Sequence, residues 1–205
     1  MPAGLPNWGY WKGGVIMTKN IILSGVGGQG TILASKLLTL GLMDAGYDVK
    51  MSEIHGMSQR GGSVTSQIRY GKKVDSPVIE RGDGDLLISF EKMEALRYLE
   101  YLKADGRVLV NDFEIKPLSV LSANAEYSDR ILEELSSKAS LITMDAANMA
   151  KELGNSKVMN VILLGAIVKL MDLAGINWEA IIEDNVKPQF IDINKKALKL
   201  GMELV

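Results

Sequence analysis

The sequence predicts an α/β domain of three layers, in which helices cover a largely parallel sheet. Short apolar runs typical of buried strands alternate with segments whose apolar residues recur at helical spacing. The first apolar run leads into a glycine-rich loop and then a helix, and the chain after residue 146 is helical throughout. This alternation indicates a Rossmann-like arrangement with an edge hairpin and a helical C-terminal section.

The composition limits the classes of function open to the chain. It contains 205 residues, 47% apolar and 23% charged, as in ordinary folded domains. The net charge is −2 and the basic residues are dispersed, which argues against nucleic-acid binding. No apolar run approaches the ~20 residues of a membrane span, so we expect no membrane partner and a cytoplasmic location. With no cysteine and one histidine, His55, the chain alone cannot build an iron–sulfur cluster or a thiolate zinc site.

Residues 1–16 differ from the rest of the chain. Trp8, Tyr10 and Trp11 stand among proline and glycine residues, and the basic start and long apolar core of a signal peptide are absent. We expect a flexible tail or leader here, followed by one domain over residues 17–205. The alternative is that the two tryptophans dock on a partner.

The domain begins with a strand, a turn and a helix. Residues 21–23 form a short apolar run, and apolar residues recur near the 3.6-residue period from Thr31 onwards. The turn has the pattern G-x-G-x-x-G, with the candidate binding residues Gly25, Gly27, Gly28, Gln29 and Gly30. Glycine lets a ligand approach the backbone, and the start of a helix attracts anions. The pattern therefore predicts a site for a nucleotide or another anion.

A second glycine-rich loop follows the next predicted strand, residues 49–53. Glu53 follows Gly30 by 23 residues, a loose match to the acid that holds the ribose in dinucleotide-binding enzymes. The loop carries the candidate residues Ser58, Gln59, Arg60, Gly61, Gly62 and Ser63. An arginine among flexible backbone donors suits bidentate capture of a carboxylate or phosphate. The alternative is a solvated surface loop, and two glycine loops at strand ends favour a site.

The remaining elements continue the alternation. Residues 64–70 alternate between apolar and polar, and with a turn at Gly71 and the segment 74–79 they predict a half-exposed hairpin at the sheet edge. A turn at residues 82–85 leads into a buried strand at 86–90. Further strands are predicted at residues 108–110, 118–120 and 141–144. Helices are predicted at residues 91–102, 128–138, 146–153, 157–173 and 178–186, the last capped by Asn177, and after Pro188.

No catalytic constellation is visible in the sequence. Asp112 and Asp145 follow two strands, where we expect them to cap the next turns. Ser58 and His55 are near each other, but no third group orients them as in a catalytic triad. No residues have metal-ligand spacing. We therefore expect no catalytic or metal-binding residue here, and a subunit that shapes the active site of a companion chain.

Four segments carry a resemblance to a known family. The loop GVGGQGTILASKLL followed by SEIHGMSQRGGSV resembles the gamma-type subunit of 2-oxoacid:ferredoxin oxidoreductases. The second segment is similar in particular to the beta subunit of indolepyruvate ferredoxin oxidoreductase. Further along, DLLISFEKMEALRYLEYLKADGRVLVND and NVILLGAIVKL resemble the same family, so the resemblance extends from about residue 17 to the C-terminus.

This resemblance implies a part in the CoA-dependent oxidative decarboxylation of an aryl 2-oxoacid to an acyl-CoA, with electrons passed to ferredoxin. It implies that thiamine diphosphate and 4Fe–4S clusters lie on a larger partner subunit, that coenzyme A is a co-substrate, and that this chain alone holds no cofactor. By the same resemblance, the glycine turn at residues 25–30 binds an anion, and residues 58–63 face the substrate or coenzyme A.

Two other functions stay open at this point. A free-standing NAD(P)-dependent oxidoreductase is favoured by the first glycine pattern and by Glu53, and is disfavoured by the second glycine loop. A non-catalytic assembly module is the third interpretation. Among substrates, the resemblance favours indolepyruvate over phenylpyruvate, branched oxoacids and pyruvate.

Overall fold

The computed structural model describes residues 18–55, 61–116 and 127–205. The predicted tail at residues 1–16 and the predicted strand at residues 118–120 lie outside the described residues. So do Ser58, Gln59 and Arg60 of the second glycine loop.

Six strands form one sheet. The strands are β1 (Lys19–Val26), β2 (Asp48–His55), β3 (Ser63–Gly71), β4 (Gly84–Ser89), β5 (Leu102–Asn111) and β6 (Ser140–Met144). Their order across the sheet is β2-β3-β1-β4-β5-β6. Neighbours among β1, β4, β5 and β6 pair in parallel, whereas β3 runs antiparallel to both β1 and β2. The predicted largely parallel sheet is confirmed.

Seven helices accompany the sheet within the described ranges. They are α1 (Thr31–Asp44), α2 (Lys92–Tyr98), α3 (Ile131–Lys138), α4 (Ala146–Glu152), α5 (Met159–Leu170), α6 (Trp178–Asn185) and α7 (Ile191–Glu203). The described helices were all predicted, and most are shorter than expected; α2, for example, ends in a 3₁₀ turn because Leu102 already begins β5. No helix in the described part of the chain combines the length and apolar character needed to cross a bilayer.

The predicted caps at Asp145 and Asn177 are confirmed. Asp145 Oδ1 accepts a hydrogen bond from the Asn148 N–H at 3.1 Å and begins α4, and Asn177 caps α6 in the same way. The Asp112 carboxylate pairs with Lys92 Nζ at 3.1 Å, and its role at the next turn stays a prediction.

The two faces of the sheet bury different cores. Along β1, Ile21 and Leu23 belong to a large core formed with α1 and the C-terminal helices. Ile22, between them, points to the opposite face and belongs to a smaller core with α2 and α3. The three-layer arrangement is therefore confirmed, and α1 and α2 lie on opposite sides of the sheet.

The edge hairpin is formed by different segments from those predicted. β3 pairs with β2, which is the edge strand, and residues 74–79 form no strand. This segment instead crosses the face of β3, where the Ile79 N–H donates to Gln67 Oε1 at 2.8 Å and Arg69 Nη1 donates to the Val78 carbonyl at 3.0 Å. Thr65 and Gln67 are therefore buried, and the expected half-exposed character of this strand was wrong.

Helices α5 and α7 touch backbone to backbone through two glycines. A Cβ added to Gly165 would lie 2.1 Å from the Leu198 carbonyl oxygen, and one added to Gly201 would lie 1.9 Å from the Ile162 carbonyl oxygen. Both distances are far below any van der Waals contact, so the two helices approach this closely only because both residues are glycine.

We expect Gly201→Ala to lower the free energy of unfolding by about 1–3 kcal/mol, because the added methyl forces α7 away from α5. Urea denaturation of the full chain measures the change. Lys199→Ala, on the exposed side of the same helix, serves as the control and should change stability by less than about 0.5 kcal/mol. Equal stability of the two variants would contradict this account of the interface.

Candidate functional site

The two glycine loops meet at one end of the sheet. Val26, at the end of β1, pairs with Ser63, at the start of β3. The Gly27 N–H donates to the Gly62 carbonyl at 2.8 Å, and the Gly61 N–H donates to the Gly27 carbonyl at 3.3 Å. Residues 61–63 of the second loop therefore lie beside the first loop. This edge of the sheet also carries the carboxyl ends of β4, β5 and β6, where ligands bind in open α/β sheets.

Two glycines of the first turn have backbone angles that disfavour other residues. Gly28 has a φ of 104° and Gly30 a φ of 83°. Their surroundings differ, because a Cβ on Gly30 would lie 2.5 Å from Asn160 Nδ2, whereas a Cβ on Gly28 would meet nothing within 4 Å among residues 18–55, 61–116 and 127–205. Gly25 belongs to β1 and pairs with Val64. The turn is thus packed on one side and open on the other.

Gln29 holds the turn in shape with both ends of its amide. Its Oε1 accepts from the Val26 N–H at 2.7 Å, and its Nε2 donates to the Phe90 carbonyl at 2.9 Å. Its own backbone N–H donates to the Val26 carbonyl at 3.1 Å. The side chain therefore links the turn to the end of β4.

The start of α1 favours a negative charge. Gly30 is the N-cap and supplies no side-chain hydrogen bond, and the first turn contains no acidic residue. The N–H groups at the beginning of a helix have no intrahelical partners, and the helix dipole adds a partial positive charge there. Thr31 is buried at this point, and its hydroxyl has no hydrogen-bond partner among the described groups. An anion at this position would meet no repulsion from the helix itself.

Two clefts border the glycine turn. The first, of about 490 Å³, is lined by Gly28, Gln29, Gly30, Leu33, Phe113, Ala147, Lys151, Ser156, Lys157, Met159 and Asn160. Neither of its lysines pairs with a described carboxylate. The second, of about 410 Å³, is lined by Val26, Gly27, Gly28, Gly30, Thr31, Ile32 and Val64. One cleft is thus cationic and the other is lined by backbone and small or apolar side chains.

Two buried asparagines near the turn were missed by sequence reasoning. Asn160 Nδ2 donates to the Gly30 carbonyl at 3.2 Å, and Asn111 Nδ2 donates to the Phe90 carbonyl at 3.1 Å. Both side-chain oxygens are buried and lack a partner among the described residues. The available signal was a polar residue inside the most apolar helical run, since Asn160 stands among the residues of α5. These oxygens are therefore buried acceptors beside the turn that a ligand or water could satisfy.

Two buried carboxylates lie on the other side of the second loop. Glu91 caps α2 by accepting from the Glu94 N–H at 3.0 Å, and it also accepts from the Tyr127 hydroxyl. Glu94 Oε2 accepts from Ser63 Oγ at 2.5 Å, and Glu94 Oε1 pairs with Arg97 Nε at 3.2 Å. Burial raises the pKa of Glu94, and the hydrogen bond from Ser63 and the charge of Arg97 oppose the increase. Sequence reasoning assigned no role to either carboxylate.

Glu53 does not occupy the position expected for a ribose-binding acid. In dinucleotide-binding folds the acid follows the strand that lies next to β1. Here the antiparallel strand β3 separates β1 from β2, so Glu53 lies one strand farther from the glycine turn. Its carboxylate accepts a hydrogen bond from Ser35 Oγ at 3.0 Å. This topology weighs against the NAD(P)-dependent interpretation.

We expect Gly30→Ala to destabilise the chain more than Gly28→Ala. Both variants place a side chain at positive φ, which costs about 1–2 kcal/mol. Only the alanine at position 30 also contacts Asn160, at a further cost of about 1–3 kcal/mol. Chemical denaturation of both variants, each also combined with Asn160→Ala, measures the two contributions. If Asn160→Ala leaves the difference between the two alanine variants unchanged, the contact with Asn160 is not its cause.

The free energy of unfolding of Glu94→Gln, relative to that of the wild type, should increase as the pH rises. The pKa of Glu94 is raised in the folded state, so folding favours its protonated form. The stability that the protonated Glu94 carboxyl adds to the folded state is complete below the ordinary carboxyl pKa. It is lost as the pH rises through the raised pKa. Glutamine does not titrate, so the Glu94→Gln variant does not lose this stability as the pH rises. Urea unfolding from acidic to neutral pH tests the prediction against Glu133→Gln, an exposed glutamate that also pairs with an arginine. A difference that stays constant with pH would contradict it.

The family model and the relatives of known function point to the same family. A family model described as pyruvate ferredoxin/flavodoxin oxidoreductase matches residues 20–204. Indolepyruvate oxidoreductase subunit IorB from Pyrococcus horikoshii is 39% identical over 191 residues, which are 90% of this chain and 94% of that protein. The IorB subunit from Thermococcus kodakarensis is 38% identical, with the same coverage of both chains.

Solved structures agree with the sequence relatives. The pyruvate oxidoreductase subunit PORC from Thermotoga maritima matches with a TM-score of 0.71 and 25% identity, over 91% of this chain and 96% of that one. The gamma subunit of a keto/oxoacid ferredoxin oxidoreductase from Geobacter sulfurreducens matches with a TM-score of 0.66 and 25% identity, over 90% of this chain and 96% of that one. The resemblance predicted from the two glycine loops is confirmed. The chain therefore belongs to the pyruvate ferredoxin/flavodoxin oxidoreductase family, as a gamma-type subunit of a 2-oxoacid:ferredoxin oxidoreductase similar to IorB.

Proposed function

We propose that this chain is the small subunit of an indolepyruvate ferredoxin oxidoreductase, which converts an aryl 2-oxoacid and coenzyme A to an acyl-CoA and CO₂ and passes the electrons to ferredoxin. The observation that carries the proposal is the hydrogen-bonded junction of the two glycine turns at Gly27. This junction places flexible backbone, the start of α1 and two clefts at one edge of the sheet. In the proposal, that edge forms the substrate and coenzyme A side of an active site shared with a larger subunit.

The residues of this chain do not fit the redox cofactors of such an enzyme. Iron–sulfur clusters are held by cysteine thiolates, and the sequence contains no cysteine. Among the described residues, no three carboxylates or histidines are grouped so that they could hold a metal ion. The proposal therefore assigns thiamine diphosphate and the 4Fe–4S clusters to the partner subunit and derives no step through them on this chain.

The cationic cleft suits the phosphate groups of coenzyme A. Lys151 and Lys157 line it together with the glycine turn, and the uncapped start of α1 adds N–H donors and a favourable dipole. The second cleft, which is lined by Ile32 and Val64, suits an apolar part of a ligand. In this proposal Gly27, Gly28 and Gly30 contribute backbone groups, and Gln29 keeps the turn in the required shape.

We propose indolepyruvate as the substrate because the IorB subunits have higher sequence identity to this chain than the subunits of oxidoreductases that act on other 2-oxoacids. The IorB subunits are 34–39% identical to this chain. A 2-oxoglutarate synthase subunit KorC is 28% identical, and a gamma subunit common to pyruvate and ketoisovalerate oxidoreductases is 27% identical. Steady-state assays of the co-expressed complex with indolepyruvate, phenylpyruvate, 2-oxoglutarate and pyruvate test this choice. A higher kcat/KM for pyruvate or 2-oxoglutarate would refute it.

The proposal differs measurably from the two other interpretations. A larger thiamine-diphosphate and iron–sulfur subunit should copurify with this chain from a cytoplasmic extract, and ferredoxin should be reduced only when both are present. A non-catalytic assembly module would leave the activity of the larger subunit unchanged when this chain is removed. Micromolar binding of NAD(P) by the isolated chain would support the dehydrogenase interpretation, which the separation of β1 from β2 disfavours.

We expect Arg60→Ala to raise the KM for the oxoacid or for coenzyme A by about tenfold or more, with little change in kcat. Arg60 is proposed to bind a carboxylate or phosphate, and a charge-assisted pair of this kind contributes about 1.5–3 kcal/mol. Initial rates of the reconstituted complex measure both constants. Arg81→Ala removes an exposed arginine that pairs with Glu100 and serves as the control. Unchanged KM values for both substrates would refute the role of Arg60.

A further inference from the structure

Ser63 connects the second glycine loop to a buried carboxylate. It is the first residue of β3 and follows Gly62 directly, so its position determines where the loop leaves the sheet. Its hydroxyl donates to Glu94 Oε2 at 2.5 Å and lies 3.3 Å from the Tyr98 hydroxyl. The contact joins the loop to α2, which packs on the opposite face of the sheet from α1.

The side chain of Glu94 is placed for this contact and not for a helix cap. Glu94 is the third residue of α2, where a glutamate commonly bonds back to the N-cap N–H. Here its two oxygens go to Ser63 and Arg97. The side chain is only 6% exposed. Burying a carboxylate costs free energy. Helix stability therefore does not explain why Glu94 is buried beside the loop.

We infer that Glu94 is a positioning residue for the paired glycine turns. Through Ser63 it fixes residues 61 and 62, which in turn hold Gly27 through two backbone hydrogen bonds. Gly27 is part of the turn that precedes α1, so this series of contacts runs from α2 to the anion-binding edge. The inference deepens the proposed function, because the importance of the turns for catalysis rests on that proposal.

The groups that face Glu94 leave its charge only partly balanced. Arg97 approaches from α2 and Ser63 approaches from β3, and the Tyr98 hydroxyl lies 3.3 Å from Ser63 Oγ. Glu91 adds a second carboxylate at the start of the helix, and its own hydrogen bonds go to Tyr127 and to the backbone. Arg97 is 57% exposed, and solvent weakens its contribution. The hydrogen bond from Ser63 is therefore the main buried interaction that stabilises the Glu94 carboxylate.

Amide exchange at Gly27 and Gly61, measured by NMR on the full chain, tests the positioning role directly. We expect Ser63→Ala and Glu94→Ala to accelerate exchange at both amides by about tenfold, the effect of one lost buried hydrogen bond. Glu94→Gln keeps an acceptor of the same length and should restore slow exchange. Glu94→Asp keeps the charge but is one methylene shorter and should not. Glu133→Gln is the matched control. Unchanged exchange in Ser63→Ala, or full rescue by Glu94→Asp alone, would overturn the inference.

Kinetics of the reconstituted complex separate this inference from the proposed function. If both hold, Ser63→Ala and Glu94→Ala raise the KM for coenzyme A or the oxoacid by about three- to tenfold, kcat changes by less than about twofold, and Glu94→Gln restores the KM. Faster exchange with unchanged KM values would uphold the positioning role and count against the proposed function. An altered KM in Arg60→Ala together with wild-type exchange in Glu94→Ala would uphold the proposed function and overturn the positioning role.

Discussion

The position of β3, antiparallel between β1 and β2, is the constraint on which the candidate site depends. Because β3 starts beside the end of β1, the second glycine loop must return to the sheet next to the first. The paired backbone hydrogen bonds at Gly27 follow from this register. In a sheet with β1 and β2 adjacent, the chain would leave β2 toward a helix, and the two loops would not be held together by the strand ladder.

The polar residues around this junction act mainly on the backbone. Gln29, Asn111 and Asn160 direct their amides to carbonyl or N–H groups of the turn and of the end of β4. On the opposite face, Glu91 accepts from backbone N–H groups at the start of α2 and at Ile115, and Glu94 accepts from the side-chain hydroxyl of Ser63. Burying so many polar groups does little for net stability, but it defines one conformation for the turns. A preformed turn loses less entropy when a ligand binds.

Local patterns in the sequence were sufficient to predict the strand, turn and helix around Gly25–Gly30, the order of the helices and the family. Such features depend on residues close together in the chain, such as the helical spacing after Thr31 and the glycines at positive φ. The predictions failed where distant segments decide the outcome. The half-exposed hairpin was wrong because residues 74–79 pack across β3. The roles of Asn160 and Glu94 depend on contacts across more than thirty residues, which no local pattern encodes.

The open side of the glycine turn has a consequence for what can bind there. Gly28 lines both clefts, and no atom of the described residues stands within 4 Å of the position that its Cβ would take. The peptide at Gly28 is therefore shared by the two clefts and carries no side chain, so an elongated molecule that filled both clefts would pass over it, with one end among the lysines and the other against Ile32 and Val64. Recognition of such a molecule at Gly28 would depend on the direction of the peptide N–H and carbonyl groups there. A side-chain substitution elsewhere in the turn would alter this recognition only by changing the backbone conformation.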